Sequence, residues 1–276
     1  MSDQYINLSW SQVAWASALV LINAFISVLI HLGLERRLVL AAVRMVIQLI
    51  LIGAVLRWVF SLGQWYTVVP LMIAMSLIGS FAAVQQTNRR YPGVWLNSIM
   101  SVCASSWLMI LVAVLLIVRV HPWYSPQYAI PFAGMILGNI LSGISLTLDR
   151  FAEELTSHRD QIEALLALGA TRKEAAREPI RNAVATGLLP TINFMVLAGI
   201  VTLPGTMTGQ LLAGVDPLSA AKYQIVIMFL LVSGTVLGTL GFAILLYNRL
   251  FNSRDQFLYW LINKPDKKML ESNLSS

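Results

Sequence analysis

Apolar residues run along this chain in long blocks, with polar residues gathered into the gaps between them. Seven blocks can be drawn, at about 9–31, 38–60, 65–85, 95–118, 128–148, 187–213 and 221–247. Each approaches the ~20 residues that a helix needs to cross a bilayer core. Open strand edges leave backbone groups unsatisfied in lipid, so every block is predicted as a helix. The predicted class is an all-α integral membrane protein with seven transmembrane helices. Composition agrees: the chain is 57% hydrophobic and 12% charged, with mean hydropathy +0.72. Soluble domains carry about twice that charged share.

The polar gaps differ in sign. "HLGLERR" (31–37), "QQTNRRYPG" (85–93), the segment 149–186 and the tail from Asn248 hold 15 of the 19 Lys and Arg residues. The positive-inside rule places those four in the cytoplasm. The N-terminus is then outside and the C-terminus cytoplasmic, which an odd number of spans requires. The predicted organisation is a transmembrane domain over 1–248, which includes the 149–186 segment, and a cytoplasmic tail over 249–276. The net charge of +6 is explained by this topology, and no nucleic-acid partner is implied. The first residues, "MSDQYIN", lack the basic n-region of a cleaved signal peptide. Cys103 is the single cysteine and is read as a small core residue, so no disulfide framework exists.

The long cytoplasmic segment, Asp149 to Thr186, holds 7 of the 13 acidic residues. Its mixed signs argue against a simple anionic-lipid patch. Phe151, Leu155, Ile162, Leu165 and Leu166 fall at helical spacing. Gly169 suits a left-handed helix stop. Thr171 and Glu174 form a capping box that starts a second helix. Pro179 is expected to bend or end it, leaving a short charged helix of about seven residues at the membrane surface. Two readings stand: a mechanical handle gripped by a soluble partner, or a solvated loop.

"EALLALGATRKEA" (Glu163 to Ala175) resembles the EAA loop of ABC-transporter permeases, with Glu163-Ala164 and Gly169 at the family spacing. The usual Leu-Pro ending is replaced here by Pro179-Ile180-Arg181. The run "LPTINFMVLAGIVTLPGTMTGQLLAGVDP" (Leu189 to Pro217) and "RMVIQL" (Arg44 to Leu49), with the seven-span layout, resemble the FetB family of iron-export ABC permeases. Plant relatives of that family are linked to aluminium tolerance. The resemblance implies a multi-pass permease of the bacterial inner (plasma) membrane. It would work as a homodimer with a separate P-loop ATPase that carries ATP and Mg, and no cofactor on this chain. It assigns ATPase coupling to Glu163, Ala164, Gly169, Ala170, Thr171, Arg172, Lys173 and Glu174. Export, and iron as cargo, rest on the resemblance alone. The residues agree on one point: no G-x-x-x-x-G-K-[ST] phosphate loop occurs in the chain, so this subunit is not expected to be an enzyme. H-E-x-x-H and G-x-S-x-G are absent too.

The sixth block carries candidates for the translocation path: Asn193, Thr202, Pro204, Gly205, Thr206, Met207, Thr208 and Gln210. Broken helices at membrane depth are tolerated where they pack in protein or line a watery cavity, and they often mark transporter sites. Freed carbonyls and threonine hydroxyls would be oxygen donors. A packing kink is the alternative. Arg44 and Gln48, one turn apart in the second block, are the other path candidates. A charge at membrane depth is a functional candidate by default, but Arg44 also lies close enough to the cytoplasmic end to snorkel or to pair with another span. Gly134, Gly138 and Ser142 in the fifth block, and Gly234 and Gly238 in the seventh, recur every four residues and are read as packing faces, one of them a possible homodimer seam.

No Asp or Glu lies inside a predicted span. Met45, Met72, Met75, Met100, Met135, Met195, Met207 and Cys103 are soft ligands, yet methionine fills apolar gaps by default. His31, His121 and His158 form no cluster in the sequence. Asp216 could meet a departing cation, or serve as a helix cap before Pro217. No metal ligand set is assigned. Two rival functions stay open: a gradient-driven secondary transporter, which usually needs an embedded acid or histidine, and a membrane scaffold that recruits a partner without transport.

Overall fold

The computed structural model describes residues 9–87, 91–251, 256–258 and 261. The chain folds as α1 (Trp10–Leu29), α2 (Glu35–Leu62), α3 (Trp65–Gln85), α4 (Val94–Leu111), α5 (Pro126–Ser157), α6 (Arg159–Ala167), α7 (Arg172–Leu197), α8 (Gly205–Leu212) and α9 (Pro217–Leu250). A π-helical segment, Val112–Ile117, continues α4. No strand forms among the described residues; two isolated bridges join Ala198 to Thr202 and Phe251 to Phe257. Seven of the helices are long and apolar enough to cross a membrane: α1, α2, α3, α4 with its π extension, α5, α7 and α9. Both chain ends, most of the 249–276 tail, and Arg89 and Arg90 of the basic connector lie outside the described residues.

The chain divides into two compact units. The first unit holds a hairpin of α1 and α2 and also takes in Leu212–Gly214. Ser27 staples its turn: the buried hydroxyl accepts from the Leu34 amide at 3.1 Å and donates to the Glu35 carboxylate at 3.2 Å. Most apolar side chains of both helices are exposed, as lipid-facing or partner-facing spans require.

In the second unit, α5 is the central helix. It packs on α3, α4, α7 and α9, and Ile140, Ile144, Leu148, Phe151 and Leu155 on it are fully buried. Small residues let these helices approach closely. A Cβ on Gly238 would lie 2.8 Å from Ile140 and 3.2 Å from Ser105, and one on Gly234 3.3 Å from Met109. Ser101 donates to the Gly238 carbonyl at 2.6 Å, tying α4 to α9.

In the fifth block, Gly138 meets open space and Ser142 is exposed, bonded only to its own helix at the Gly138 carbonyl. Gly134 has one ordinary contact, to Met75. The close approach falls instead on Gly143. Its Cβ would lie 2.7 Å from Thr235, 2.9 Å from Thr239 and 3.2 Å from the Gly187 carbonyl.

Three predicted boundaries are corrected. α5 runs on to Ser157, past the expected limit at 148. The proposed seven-residue helix does not exist, because α7 continues unbroken from Arg172 to Leu197 through Pro179 and Pro190. An interior proline loses one backbone bond and crowds the carbonyl four residues back, at about 3 kcal/mol. Pro179 is buried on a helix that packs against α5 and α9, and tertiary packing of the helix outweighs the local penalty. The third correction concerns the break in the 187–213 block, which lies upstream of Pro204-Gly205. α7 stops at Leu197, the chain turns over 198–204, and Gly205 opens α8.

Candidate functional site

Local chemistry builds a helical hairpin from α6 and α7. Leu168 closes α6, its amide bonding to the Ala164 carbonyl. Gly169 then takes φ +92°, a conformation that costs any residue with a Cβ about 1–2 kcal/mol. Thr171 caps α7 reciprocally. Its hydroxyl accepts from the Glu174 amide at 3.3 Å, and the Glu174 carboxylate accepts from the Thr171 amide at 2.8 Å. Such a cap is worth about 1 kcal/mol.

The hairpin's tip is apolar. Leu168 is 86% exposed and Leu165 44%, although periodicity groups Leu165 with the core face. Only Ile162 of α6 is buried. Glu163, Ala164, Gly169, Thr171, Lys173 and Glu174 surround the tip, all exposed, with Ala170 half-buried. Glu163 pairs with Arg159 at 2.7 Å. Arg172 turns inward, its guanidinium 5.8 Å from the Tyr247 ring on α9.

Beneath the hairpin, Glu154 is 4% exposed. Arg150 Nη2 lies 2.6 Å from one of its oxygens and His158 Nδ1 3.2 Å from the other. Asn182 Nδ2 of α7 donates to it at 3.4 Å. One carboxylate thus joins the end of α5 to α7. Glu154→Ala is expected to destabilise the protein by about 1–2 kcal/mol, because Arg150 and His158 are themselves well solvated and recover part of the loss in water. The measurement is a thermal melt, in which Glu154→Gln should lose clearly less, since its amide oxygen still accepts from Asn182 and Arg150.

At the far end of α7 the break is a closed turn. The Leu197 carbonyl accepts from the amides of Val201 at 3.0 Å and Thr202 at 3.2 Å, and Gly199 donates to the Thr202 carbonyl at 2.8 Å. The carbonyls of Leu197 and Thr202 are therefore engaged within the turn. Gly199, with φ +84°, makes the reversal possible. Side chains remain as polar groups. Asn193 is exposed, and Thr202, Met207, Thr208 and Gln210 are half-buried. Thr206 donates to Gln224 on α9, itself 7% exposed. Pro204 is buried and its carbonyl accepts from Thr208 at 2.9 Å. Asp216 caps α9 through the Ser219 amide at 2.9 Å. Arg44 and Gln48 belong to α2 in the first unit, whereas the other path candidates belong to the second. Among the described residues, no three His, Cys, Asp or Glu side chains gather into a metal site.

Sequence reasoning did not single out Leu168, Glu154, Gln224, Gly143 or Gly187. Gln224 had a signal, as an amide inside an otherwise apolar run. Leu168 had one too, since it falls off the apolar stripe of its helix immediately before the stop glycine. Glu154 had none, because its burial depends on where α7 returns.

The model of the Uncharacterised protein family (UPF0014) matches residues 10–251. The UPF0014 membrane protein slr1647 of Synechocystis sp. is 37% identical over 94% of this chain and all of its own length. The protein named "Probable iron export permease protein FetB" of Escherichia coli is 31% identical over 94% of this chain and 98% of its own. Protein ALUMINUM SENSITIVE 3 of Arabidopsis thaliana is 27% identical, covering 88% of each chain. No solved structure matches.

Proposed function

We propose, from the premise that this chain belongs to the UPF0014 family of membrane proteins, that it is the permease subunit of an ATP-driven exporter. One observation carries the reading. α7 is a single helix of 26 residues, about 39 Å long at 1.5 Å per residue, with the capped hairpin at one end and the closed turn at the other. A push on the hairpin is transmitted along a rod to the turn and to the polar side chains around it. The hairpin offers the ATPase an exposed leucine ringed by charges. Two copies of the chain would assemble with two ATPase copies, and ATP and Mg would sit on the partner. The cytoplasmic face would be the hairpin's, as the basic connectors require.

The cargo is a metal cation, with iron favoured by the name of the Escherichia coli relative. Asn193, Thr202, Thr206, Thr208 and Gln210 supply neutral oxygen donors, which suit a hard cation held weakly enough to be released. The motion proposed is a change in how the turn and α8 present these groups while α5 and α9 hold the rest of the unit.

The test is affinity purification of the full-length protein from its native membranes. A stoichiometric P-loop ATPase is expected in the eluate, and its removal should stop export from reconstituted vesicles. A pure protein, with flux that continues without ATPase and collapses with an uncoupler, would overturn the reading in favour of a gradient-driven carrier.

A further inference from the structure

Arg172 opens α7 directly after its Thr171 cap. A cation there faces the positive end of the helix dipole, which disfavours it. Lys173 beside it stays exposed, but Arg172 is half-buried, with its guanidinium carbon 5.8 Å from the centre of the Tyr247 ring. That is within the roughly 6 Å over which an aromatic face attracts a cation. Tyr247 lies in the last turn of α9 and is buried. A stack fixes its ring: the centre of Phe251 is 5.3 Å away, and Phe257 lies a further 5.3 Å from Phe251. Arg249, two residues on and so about 200° around the helix, donates from Nε to the Pro92 carbonyl at 3.2 Å. The end of α9 is thus braced on the connector before α4 from one side, and offers a rigid ring to the base of the hairpin from the other.

We infer that Tyr247 is a positioning residue for the hairpin. Through Arg172 it seats the start of α7 on α9, so that a push on the tip travels along α7 instead of tilting the hairpin away. The bonds at Gly169 and Thr171 join close neighbours and fix only the hairpin's own shape. Ile162 is the sole buried residue of α6, so α6 gives the hairpin little hold on the bundle. Ala175 and Ala176, the next buried residues of α7, present methyl groups, which fill space without fixing a direction. The guanidinium on the ring supplies that direction. The inference rests on the transport reading and identifies the part of the bundle against which the hairpin works.

The experiment uses the full-length protein with its ATPase in nanodiscs, carrying Ile200→Cys in a Cys103→Ala background. Ile200 is 87% exposed in the turn beyond α7, and the rate at which a maleimide labels it is read with and without ATP. ATP is expected to change that rate about fivefold or more. Tyr247→Leu should still retain the ATPase, because the tip is untouched, yet lose the ATP response. Tyr247→Phe keeps the ring face and should keep the response, and Arg172→Lys should keep part of it. Arg172→Gln/Tyr247→Leu should be no worse than Tyr247→Leu alone, since both changes remove one contact. A full ATP response in a Tyr247→Leu protein that retains the ATPase would overturn the inference. Loss of ATPase retention in Tyr247→Leu would do the same, because the ring would then only support the fold. So would loss of the response in Tyr247→Phe, which would shift the role from the ring to the hydroxyl. A parent protein that purifies without an ATPase, or whose turn ignores ATP, would remove the transport reading itself and the inference with it.

Discussion

Gly187→Ala is expected to be the most damaging single-methyl change in the protein, lowering stability by about 3 kcal/mol or more. The added Cβ would lie 2.1 Å from Thr147 Oγ1 and 2.6 Å from the Gly143 carbonyl oxygen, far inside van der Waals contact. The threonine could turn away, but the carbonyl is backbone. α5 and α7 would have to separate along their whole crossing, and α9 with them, because Thr239 touches both glycines. At about 2–4 °C per kcal/mol for a chain of this size, the melt should fall by roughly 10 °C. Thr147→Ala in the same chain should restore only part of the loss, since the carbonyl clash remains. Gly143→Ala offers a sharper control. The nearest obstacles there are the methyl groups of Thr235 and Thr239, so Thr235→Ser/Thr239→Ser should recover most of its stability. A Gly187→Ala protein that melts with wild type would show that this crossing is looser than the structure has it.

Leu168→Asp should have the largest effect on function with the smallest on the fold. Leu168 is 86% exposed at a turn held by its own backbone bonds, so nothing inside the chain depends on it. If the hairpin seats in an ATPase groove, Leu168 is the apolar anchor, and a buried anchor is typically worth at least 2 kcal/mol. Replacing it with a carboxylate should weaken the ATPase about 30-fold or more and abolish coupled export, with an unchanged melt. Gly169→Ala should act more mildly. A Cβ there meets open space, and only the positive φ is penalised. Lys173→Ala, at an exposed rim position, should cost least of the three. Measured by ATPase retention on the tagged protein, that order distinguishes docking through the tip from docking through the charges alone. Equal retention by wild type and Leu168→Asp would remove the tip from the interface.

By itself the sequence determined what is local or compositional. Blocks of about 20 apolar residues can only be helices in lipid, because each residue must bond to its own segment. The hairpin was legible for a similar reason: the stop at Gly169 and the Thr171–Glu174 box involve neighbours a few residues apart. Tertiary structure decided everything that depends on a second helix. Pro179 looks like a helix end in the sequence, yet it is buried inside an α7 that runs on to Leu197. The packing glycines of the fifth block were read from spacing, but Gly143 matters because Gly187, Thr235 and Thr239 arrive opposite it from distant parts of the chain. Glu154 is an unremarkable loop acid in the sequence and a buried joint in the fold. Leu165 follows the apolar stripe yet stays exposed, since no helix comes to cover it. Spacing records which residues share a face, and only the arrival of another helix determines whether that face is filled.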